Sequence, residues 1–163
     1  MFNQPLDNSL NNLSSLTHLT FGSKFNCPLS ISLNNLPSLK YLKLGLDFKQ
    51  KNDLPFNITS LSINCNNSYY IDYLPDSIEE IEFGSNFNLE LINLPSSIKK
   101  ITFHTNSEYD KKFNCLPSRL EILQLPSMYN IKIVNIPSGL KKLICSKDYY
   151  YIKDFSGIEV VPY

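Results

Sequence analysis

Two carboxylates, Glu80 and Glu82, have the clearest capacity for chemistry in this sequence. They lie two positions apart in an alternating segment that we predict to be a strand, so both would project from the same side of a sheet. Paired carboxylates at a short separation can act as acid and base in glycoside hydrolysis, and Lys100 is expected beside them. No aromatic platform for a sugar ring is evident around them. A carbohydrate-active enzyme is therefore only a remote alternative.

Other catalytic and metal-binding patterns do not occur in the sequence. His18 and His104 are far apart, neither has a partner at ligand spacing, and there is no HExxH motif. The four cysteines form no CxxC pair, and we expect them to be reduced, partly buried thiols. With five glycines and no G-x-S-x-G motif, neither a phosphate-binding loop nor a nucleophile elbow is predicted. We therefore predict a protein that is not an enzyme and that uses no metal or cofactor.

The elements that must position any functional side chain are organised as a repeat. Its anchors are a degenerate copy at Leu13-Ser14, then Leu36-Pro37, Leu54-Pro55, Leu74-Pro75, Leu94-Pro95, Leu116-Pro117 and Ile136-Pro137, with successive spacings of 23, 18, 20, 20, 22 and 20 residues. In most copies apolar residues follow the anchor at offsets of four, seven and nine, as Ile78, Ile81 and Phe83 follow Leu74. Seven such copies account for nearly the whole chain.

The end of each copy, L-x-F, alternates apolar and polar residues, which is the period of a half-buried strand. The proline excludes a helix before that strand, and about 20 residues per copy leave no room for a long helix on the return, so extended or short 3₁₀ segments are expected there. We predict a mainly β, leucine-rich-repeat-like solenoid with one parallel sheet of about seven short strands and little helix. One coil buries too little apolar surface to offset its ordering entropy, so the coils must stack. Aromatic-Asn pairs (Phe25-Asn26, Phe87-Asn88 and Phe113-Asn114) are expected to join them.

The string Phe25-Asn26-Cys27-Pro28-Leu29, the Leu-Pro-x-Ser-Ile units and residues 81–88 resemble FNIP repeats. This leucine-rich-repeat-like family is named for a Phe-Asn-Ile-Pro signature and is abundant in social amoebae and giant DNA viruses. The resemblance covers most of residues 2–145, although Ile-Pro itself occurs only at Ile136-Pro137. It implies a setting in which some relatives use an F-box to join ubiquitin ligases. We expect no F-box within this chain.

The phase of the repeat places every second strand residue on the side away from the core. We take the resulting two rows of outward side chains as a candidate binding face. Its candidate residues are His18, Tyr41, Lys43, Glu80, Glu82, Lys100, Ile122, Gln124, Lys142 and Ile144. Glu80 and Lys100 should be lateral neighbours, which is consistent either with mutual neutralisation on a solvated face or with a charge-patterned binding strip. Ile122 and Ile144 are unusual on polar rows, so they are either contact residues or covered by the C-terminal segment.

The repeat divides the chain into a seven-coil solenoid over residues 1–145 and a C-terminal segment over residues 146–163. The C-terminal segment breaks the pattern with Tyr149-Tyr150-Tyr151 and Ile158-Glu159-Val160-Val161, and we predict that it caps the last coil. The chain starts inside a repeat at Phe2, so the first coil is expected to expose its core edge. A homodimer through this N-terminal edge therefore stays an open alternative.

Charge and hydropathy limit the classes of partner. Basic and acidic residues number 15 each, so the formal net charge of zero gives no attraction to nucleic acid or to an anionic membrane. The first residues lack the basic and apolar stretches of a signal peptide, so we expect an intracellular protein, in the cytoplasm, or in the host cytoplasm if the gene is viral. The predicted function is binding to another protein, of unknown identity, through the strand face. The main alternative is an assembly subunit that self-associates through the N-terminal coil.

Overall fold

A computed structural model describes residues 2–29, 33, 35–51 and 54–163 of the chain. Short strands form one parallel sheet of eight, whose order follows the sequence. The strands are β1 (His18–Thr20), β2 (Tyr41–Leu44), β3 (Ser60–Ile63), β4 (Glu80–Phe83), β5 (Lys100–Phe103), β6 (Ile122–Gln124), β7 (Lys142–Cys145) and β8 (Glu159–Pro162). The chain therefore advances by one strand per coil. This arrangement confirms the prediction of a mainly β, leucine-rich-repeat-like solenoid with little helix.

The apolar strand residues form a continuous row in the interior of the solenoid. The row contains Leu19, Leu42, Leu61, Ile81, Ile101, Leu123 and Leu143, in the phase that the repeat predicts, and continues to Val160. From Leu42 to Leu143 each member is at most 1% exposed, whereas Leu19 in the first strand is only partly buried. Burial of one such aliphatic side chain contributes roughly 1.5–3 kcal/mol. Because each inner coil is covered on both sides, the coils stabilise one another as an array.

The C-terminal segment contributes β8, a strand that the repeat pattern did not predict. Glu159 lies opposite Lys142 and Val161 lies opposite Ile144, so the segment extends the sheet by one more coil. A short 3₁₀ helix (Ile152–Phe155) forms part of the return that leads into β8. Residues 146–163 therefore follow the architecture of a repeat with a shortened return.

The Leu-Pro corners lead the chain into each strand through local hydrogen bonds. The N–H of Ile98 bonds to the carbonyl oxygen of Pro95 at 3.2 Å, and the corresponding bond recurs in the other corners. Proline fits this position because it has no N–H of its own to satisfy. One corner also supports its neighbour, since the Asn57 side-chain amide donates to the carbonyl oxygens of Leu36 (3.0 Å) and Leu39 (2.8 Å). The corners thus fix both the turn within a coil and the contact between coils.

An α-helix, α1 (Ser68–Asp72), occupies the return between β3 and β4, where the sequence predicted extended or short 3₁₀ backbone. Asn67 begins it, because its side-chain oxygen accepts a hydrogen bond from the N–H of Tyr69 at 3.2 Å. The helix turns Tyr70 into the core, where it is 1% exposed. Tyr70 therefore supplies the aromatic ring of a copy that lacks a Phe-Asn pair.

Aromatic rings stack from coil to coil behind the turns that follow the strands. One run contains Phe2, Phe25, Phe48 and Tyr70 with centroids 5.8–6.2 Å apart, and a second contains Phe87, Tyr109, Tyr129 and Tyr149 with centroids 6.1–6.3 Å apart. Two hydroxyls in the second run bond to carbonyl oxygens of the preceding coil, from Tyr129 to Lys111 at 3.1 Å and from Tyr149 to Ile131 at 3.0 Å. The rings therefore join the coils through both packing and hydrogen bonds.

Asparagine side chains add a second set of links between coils. The bonds run from Asn26 N to Asn3 Oδ1 (2.8 Å), from Lys49 N to Asn26 Oδ1 (2.8 Å), from Asp110 N to Asn88 Oδ1 (3.2 Å) and from Tyr150 N to Asn130 Oδ1 (3.0 Å). They confirm that the Asn after an aromatic bonds to the backbone of the next coil. The predicted pair Phe113-Asn114 is wrong in this respect, because Tyr109-Asp110 occupies the corresponding place and Phe113 packs beside Tyr109 at 5.4 Å.

Replacing Tyr109 with phenylalanine is expected to raise the free energy of unfolding by about 1 kcal/mol. Tyr109 is 3% exposed, and no described residue accepts a hydrogen bond from its Oη. Burial also raises the pKa of this phenol far above its usual range. The matched control is Tyr129→Phe, which removes a formed hydrogen bond and should lower stability by about 1 kcal/mol. Urea denaturation measures both changes, and two shifts of the same sign would contradict the prediction.

Candidate binding face

The ten candidate residues all lie on two outward rows that cross the sheet. The first row is His18, Tyr41, Ser60, Glu80, Lys100, Ile122, Lys142 and Glu159, and the second row is Thr20, Lys43, Ser62, Glu82, Thr102, Gln124, Ile144 and Val161. We call these two rows the strand face. The repeat phase placed every member of the first seven strands. The repeat pattern did not place Glu159 and Val161 on the face, because the C-terminal segment has no Leu-Pro anchor that sets the strand position.

Charges in the first row are paired between neighbouring strands. Lys100 Nζ lies 3.2 Å from Glu80 Oε2, and Lys142 Nζ lies 2.9 Å from Glu159 Oε1. In both pairs the side chains are substantially exposed, and such pairs typically contribute under about 1 kcal/mol to stability. The lateral contact predicted between Glu80 and Lys100 is therefore present, and it neutralises the centre of this row.

Charges in the second row are not paired in this way. Lys43 and Glu82 lie two strands apart, with Ser62 between them. Within the described part of the chain, neither charged side chain has an ion pair or a side-chain hydrogen bond. The strand face thus presents one cation and one anion whose charge is left for solvent or a ligand to compensate.

The end of the face near β1 and β2 is aromatic. The rings of His18 and Tyr41 lie with their centroids 5.6 Å apart and their planes inclined by 30°. The hydroxyl of Thr17 lies 2.9 Å from His18 Nδ1. Beside these rings is a shallow depression of about 230 Å³, whose lining includes Ser60 and Glu80. Aromatic side chains that project into water beside a concavity are typical of protein-binding surfaces.

The other end of the face is partly apolar. Ile122 and Ile144 are half-buried on the outward rows of β6 and β7, and Val161 of β8 lies beside Ile144. The C-terminal strand pairs at the edge of the sheet rather than lying over these isoleucines, so they contribute to the outer surface. Gln124 is held in place because its Nε2 donates to the carbonyl oxygen of Phe103 at 3.2 Å. The face therefore changes from aromatic and acidic to basic and aliphatic along the solenoid.

Comparison with known proteins fits this architecture. The sequence profile described as FNIP Repeat matches residues 2–47, 49–86 and 66–106. The chain belongs to the FNIP repeat family. The FNIP matches end before β6, yet β6, β7 and β8 keep the register of the sheet, so the repeat architecture extends beyond the matched residues.

A solved structure described as CroV588, a novel circular LRR protein from a giant virus, is similar to these FNIP repeats with 34% sequence identity and a TM-score of 0.65. The alignment covers 83% of the present chain and 21% of the other, so this chain spans about a fifth of the length of that protein. No curated protein matches the sequence. FNIP and leucine-rich-repeat folds commonly mediate protein interactions and are typically not enzymes.

The side chains that could act in catalysis or metal binding mostly lie in different coils of this FNIP repeat protein. His18 lies on the strand face, whereas His104 follows β5 and accepts a hydrogen bond at Nδ1 from the N–H of Asn106 at 3.2 Å. Across the described residues, no group of three His, Cys, Asp or Glu side chains is arranged to hold a metal ion. No helix among them is long and apolar enough to cross a membrane. All four cysteines are free thiols, and burial raises the pKa of Cys65 to about 11.

Proposed function

We propose that this FNIP repeat protein is a non-enzymatic interaction module that binds a partner protein through the strand face. The observation that carries the proposal is the pair of unbroken outward rows on one parallel sheet. The rows combine exposed aromatic, charged and aliphatic side chains, and the inner face of the same strands is fully used by the core. Stacked repeats generate extended surfaces of this kind, on which each coil adds one strip of contacts.

We also propose a cytoplasmic setting for this interaction. The similarity to a giant-virus protein supports a virus–host context, in which the partner would be a protein of the infected cell. Selection of targets for ubiquitin ligation is one role that suits a binding module of this family. Neither setting changes the experiment, because the partner is recognised in each case by contact with the strand face.

Site-specific photo-crosslinking tests whether the strand face is the binding surface. A photoreactive phenylalanine analogue is placed at Tyr41 on the face, and in a second sample at Met128, which is 85% exposed in the turn after β6. We expect one defined adduct from the Tyr41 position in cell extract, identified by mass spectrometry, and no adduct with the same protein from Met128. Equal capture from both positions would show that the contact does not select the strand face.

Exchanging the charges of Glu80 and Lys100 is expected to weaken binding of the captured partner at least tenfold without lowering stability. The double variant Glu80→Lys plus Lys100→Glu keeps an ion pair between the same two positions but reverses the charge pattern on the face. The control exchanges Lys24 and Asp47. This pair forms an ion pair at 2.9 Å but lies in the turns after β1 and β2, away from the strand face. Binding isotherms compare the two variants, and equal losses would exclude a specific role for the strand face.

A second candidate function, self-association through the N-terminal coil, is favoured by the edges of the sheet. The N–H of Phe21 bonds to Lys43 O, so by alternation His18 and Thr20 direct their backbone groups away from β2. Near this edge Phe2 is 58% exposed and helps to line a depression of about 380 Å³. At the opposite edge Pro162 offers no N–H, which disfavours addition of a strand to β8.

Light scattering of the purified chain tests this second candidate. If the N-terminal coil drives association, the mass should double with concentration, and Phe2→Glu should restore the monomer. The charge exchange at Glu80 and Lys100 should leave such a dimer unaffected, because it lies on a different surface. A monomer at high micromolar concentration would contradict self-association.

A further inference from the structure

A third row of side chains borders the strand face, at the residue before each strand. Here one carbonyl oxygen accepts hydrogen bonds from two successive N–H groups of the next coil, as Glu79 O does from Lys99 N (2.8 Å) and Lys100 N (3.1 Å). This doubled bond recurs between all neighbouring strands from β1 to β7. Successive N–H groups point the same way only where the backbone departs from a regular strand, as at a β-bulge, so the alternation of side chains is interrupted. Glu79 and Glu80 accordingly line one depression together.

Charges alternate in sign along this third row. Before β4, β5, β6 and β7 the row is acidic, basic, acidic and basic, and we call these four residues the charge strip: Glu79, Lys99, Glu121 and Lys141. Within the chain, Lys99 Nζ lies 3.0 Å from Glu79 Oε2, and Lys141 Nζ lies 2.9 Å from Glu121 Oε2. The four side chains are nevertheless 41–69% exposed. Exposed pairs of this kind contribute little to stability, so the strip is not explained by folding alone.

A strip of four alternating charges is complementary to itself when its order is reversed. A two-fold axis that runs parallel to the strands, between β5 and β6, places a second copy face to face with the first, with its coils in reverse order. Glu79 then faces Lys141 of the second copy, and Lys99 faces Glu121 of the second copy. Symmetry repeats both contacts. An axis on β5 would instead oppose Lys99 to the same lysine of the other copy, so the charges select the register between β5 and β6.

The first outward row agrees with the same register. Glu80 on β4 faces Lys142 on β7 of the second copy, which adds another pair of opposite charges on each side of the axis. Both side chains are exposed, by 53% and 32%. Ile122 lies on β6 directly beside the axis, so the half-buried isoleucines of the two copies would pack against each other. The register therefore also explains an aliphatic side chain on a polar row.

We propose that a second copy of this chain docks on the strand face and the charge strip about this axis. Charge complementarity is the argument for this occupant, because every charge of the strip then faces one of opposite sign. The overlap covers β3 to β8, or about 24 Å between the outer strands, which is a small contact and predicts a weak, reversible dimer. Strands β1 and β2 extend beyond it, so His18 and Tyr41 stay accessible to a partner protein. The inference thus goes beyond the proposed function and does not depend on it.

Two charge reversals, studied alone and mixed, test the inference by sedimentation velocity. Glu79 and Lys141 precede strands that are three spacings apart, about 14 Å, so they can meet only between copies. Glu79→Lys opposes two lysines in the dimer, and Lys141→Glu opposes two glutamates. We expect each variant alone to dimerise at least tenfold more weakly than the wild type at low salt. An equimolar mixture of the two should recover the wild-type dimer, because each copy then faces charges of opposite sign.

The matched control reverses charges of an ion pair that lies off the strand face. Lys132 and Asp154 pair at 3.3 Å in the returns that follow β6 and β7. Lys132→Glu and Asp154→Lys change the net charge by the same amounts as the test variants, and each should dimerise as the wild type does. Thermal unfolding confirms that every variant is folded. Losses in the control variants equal to those in the strip variants would overturn the assignment to the charge strip.

Three further results would overturn the inference. The first is a wild-type chain that stays monomeric at high micromolar concentration and low salt, and the second is a mixture of the two strip variants that stays monomeric. The third is a dimer that Phe2→Glu abolishes, because it would form through the N-terminal coil instead. Capture of a partner protein from Tyr41, combined with no dimer, would reject the second copy while leaving the strand face as a binding surface.

Discussion

Replacing Phe103 with alanine is expected to lower the free energy of unfolding by about 3–5 kcal/mol. Phe103 is 1% exposed, and its ring lies 5.0 Å from that of Phe83 and 4.5 Å from that of Tyr109. The substitution leaves a cavity between neighbouring coils, so it removes contacts within one coil and across an interface. The midpoint of thermal unfolding should fall by on the order of 10 °C for a chain of this size.

The control for this prediction is the same substitution at an exposed ring. Phe56 is 88% exposed in the corner before β3, and Phe56→Ala should change stability by less than about 0.5 kcal/mol. Urea denaturation followed by far-UV circular dichroism gives both values. A loss at Phe103 no larger than the loss at Phe56 would mean that the contacts of Phe103 with Phe83 and Tyr109 do not stabilise the array.

Replacing Gly45 with alanine is expected to cost about 1–3 kcal/mol, because a Cβ atom has no space there. Such an atom would collide with the carbonyl oxygen of Gly22 and lie 2.9 Å from the Cα of Ser23. Both are backbone atoms of the preceding coil, so the clash cannot be relieved by rotating a side chain. The turns after β1 and β2 would have to move apart.

The preceding coil provides the control, because Gly22 occupies the equivalent place after β1. A Cβ atom at Gly22 meets no atom within 4 Å, so Gly22→Ala should be neutral or slightly stabilising. Both variants lose the same backbone freedom in the unfolded chain, and their difference isolates the contact between coils. Equal midpoints in thermal unfolding would show that the two turns are not in close contact.

The sequence was sufficient to predict most of the sheet, because the repeat sets its register. Once Leu42, Leu61 and Ile81 are placed in one inner row, the outward neighbours of each strand follow from the two-residue period. The contact between Glu80 and Lys100 could be predicted for the same reason. Adjacent parallel strands bring residues at equal offsets side by side, and the anchors of these two copies are 20 residues apart.

Features that depend on the length of the return were not predictable. Glu159 follows its partner Lys142 by 17 residues, and no Leu-Pro anchor precedes it, so the pattern gave no reason to extend the sheet to β8. Tyr109 takes the stacking position because the turn after Phe103 is longer than the turn after Phe83. The longer turn shifts the stacking aromatic to a later position in the sequence, although its place in the fold is unchanged. The sequence pattern, which looked for a Phe-Asn pair, therefore selected Phe113 instead of Tyr109.

The environment of the second outward row also required the structure. The sequence places Lys43, Ser62 and Glu82 in one row, but it does not show that Ser62 is buried or that the two charged side chains have no ion pair among the described residues. Glu80 and Glu82 are alike in sequence, yet only Glu80 has a lysine beside it, since Thr102 is the neighbour of Glu82. The burial of Ser62 depends on how the neighbouring side chains pack, which the repeat pattern does not specify.

Because each coil carries its own bonds to the next, the family can change by whole units. Loss of the coil that contains β5 would bring Glu80 and Glu82 of β4 directly beside Ile122 and Gln124 of β6. The inward residues Ile81 and Leu123 would still lie side by side in the core. Duplication of the same unit would widen the surface by one strand without disturbing the rest. Copy number is therefore a heritable variable that can alter the exposed strand face in a single step, while point mutation adjusts one column at a time.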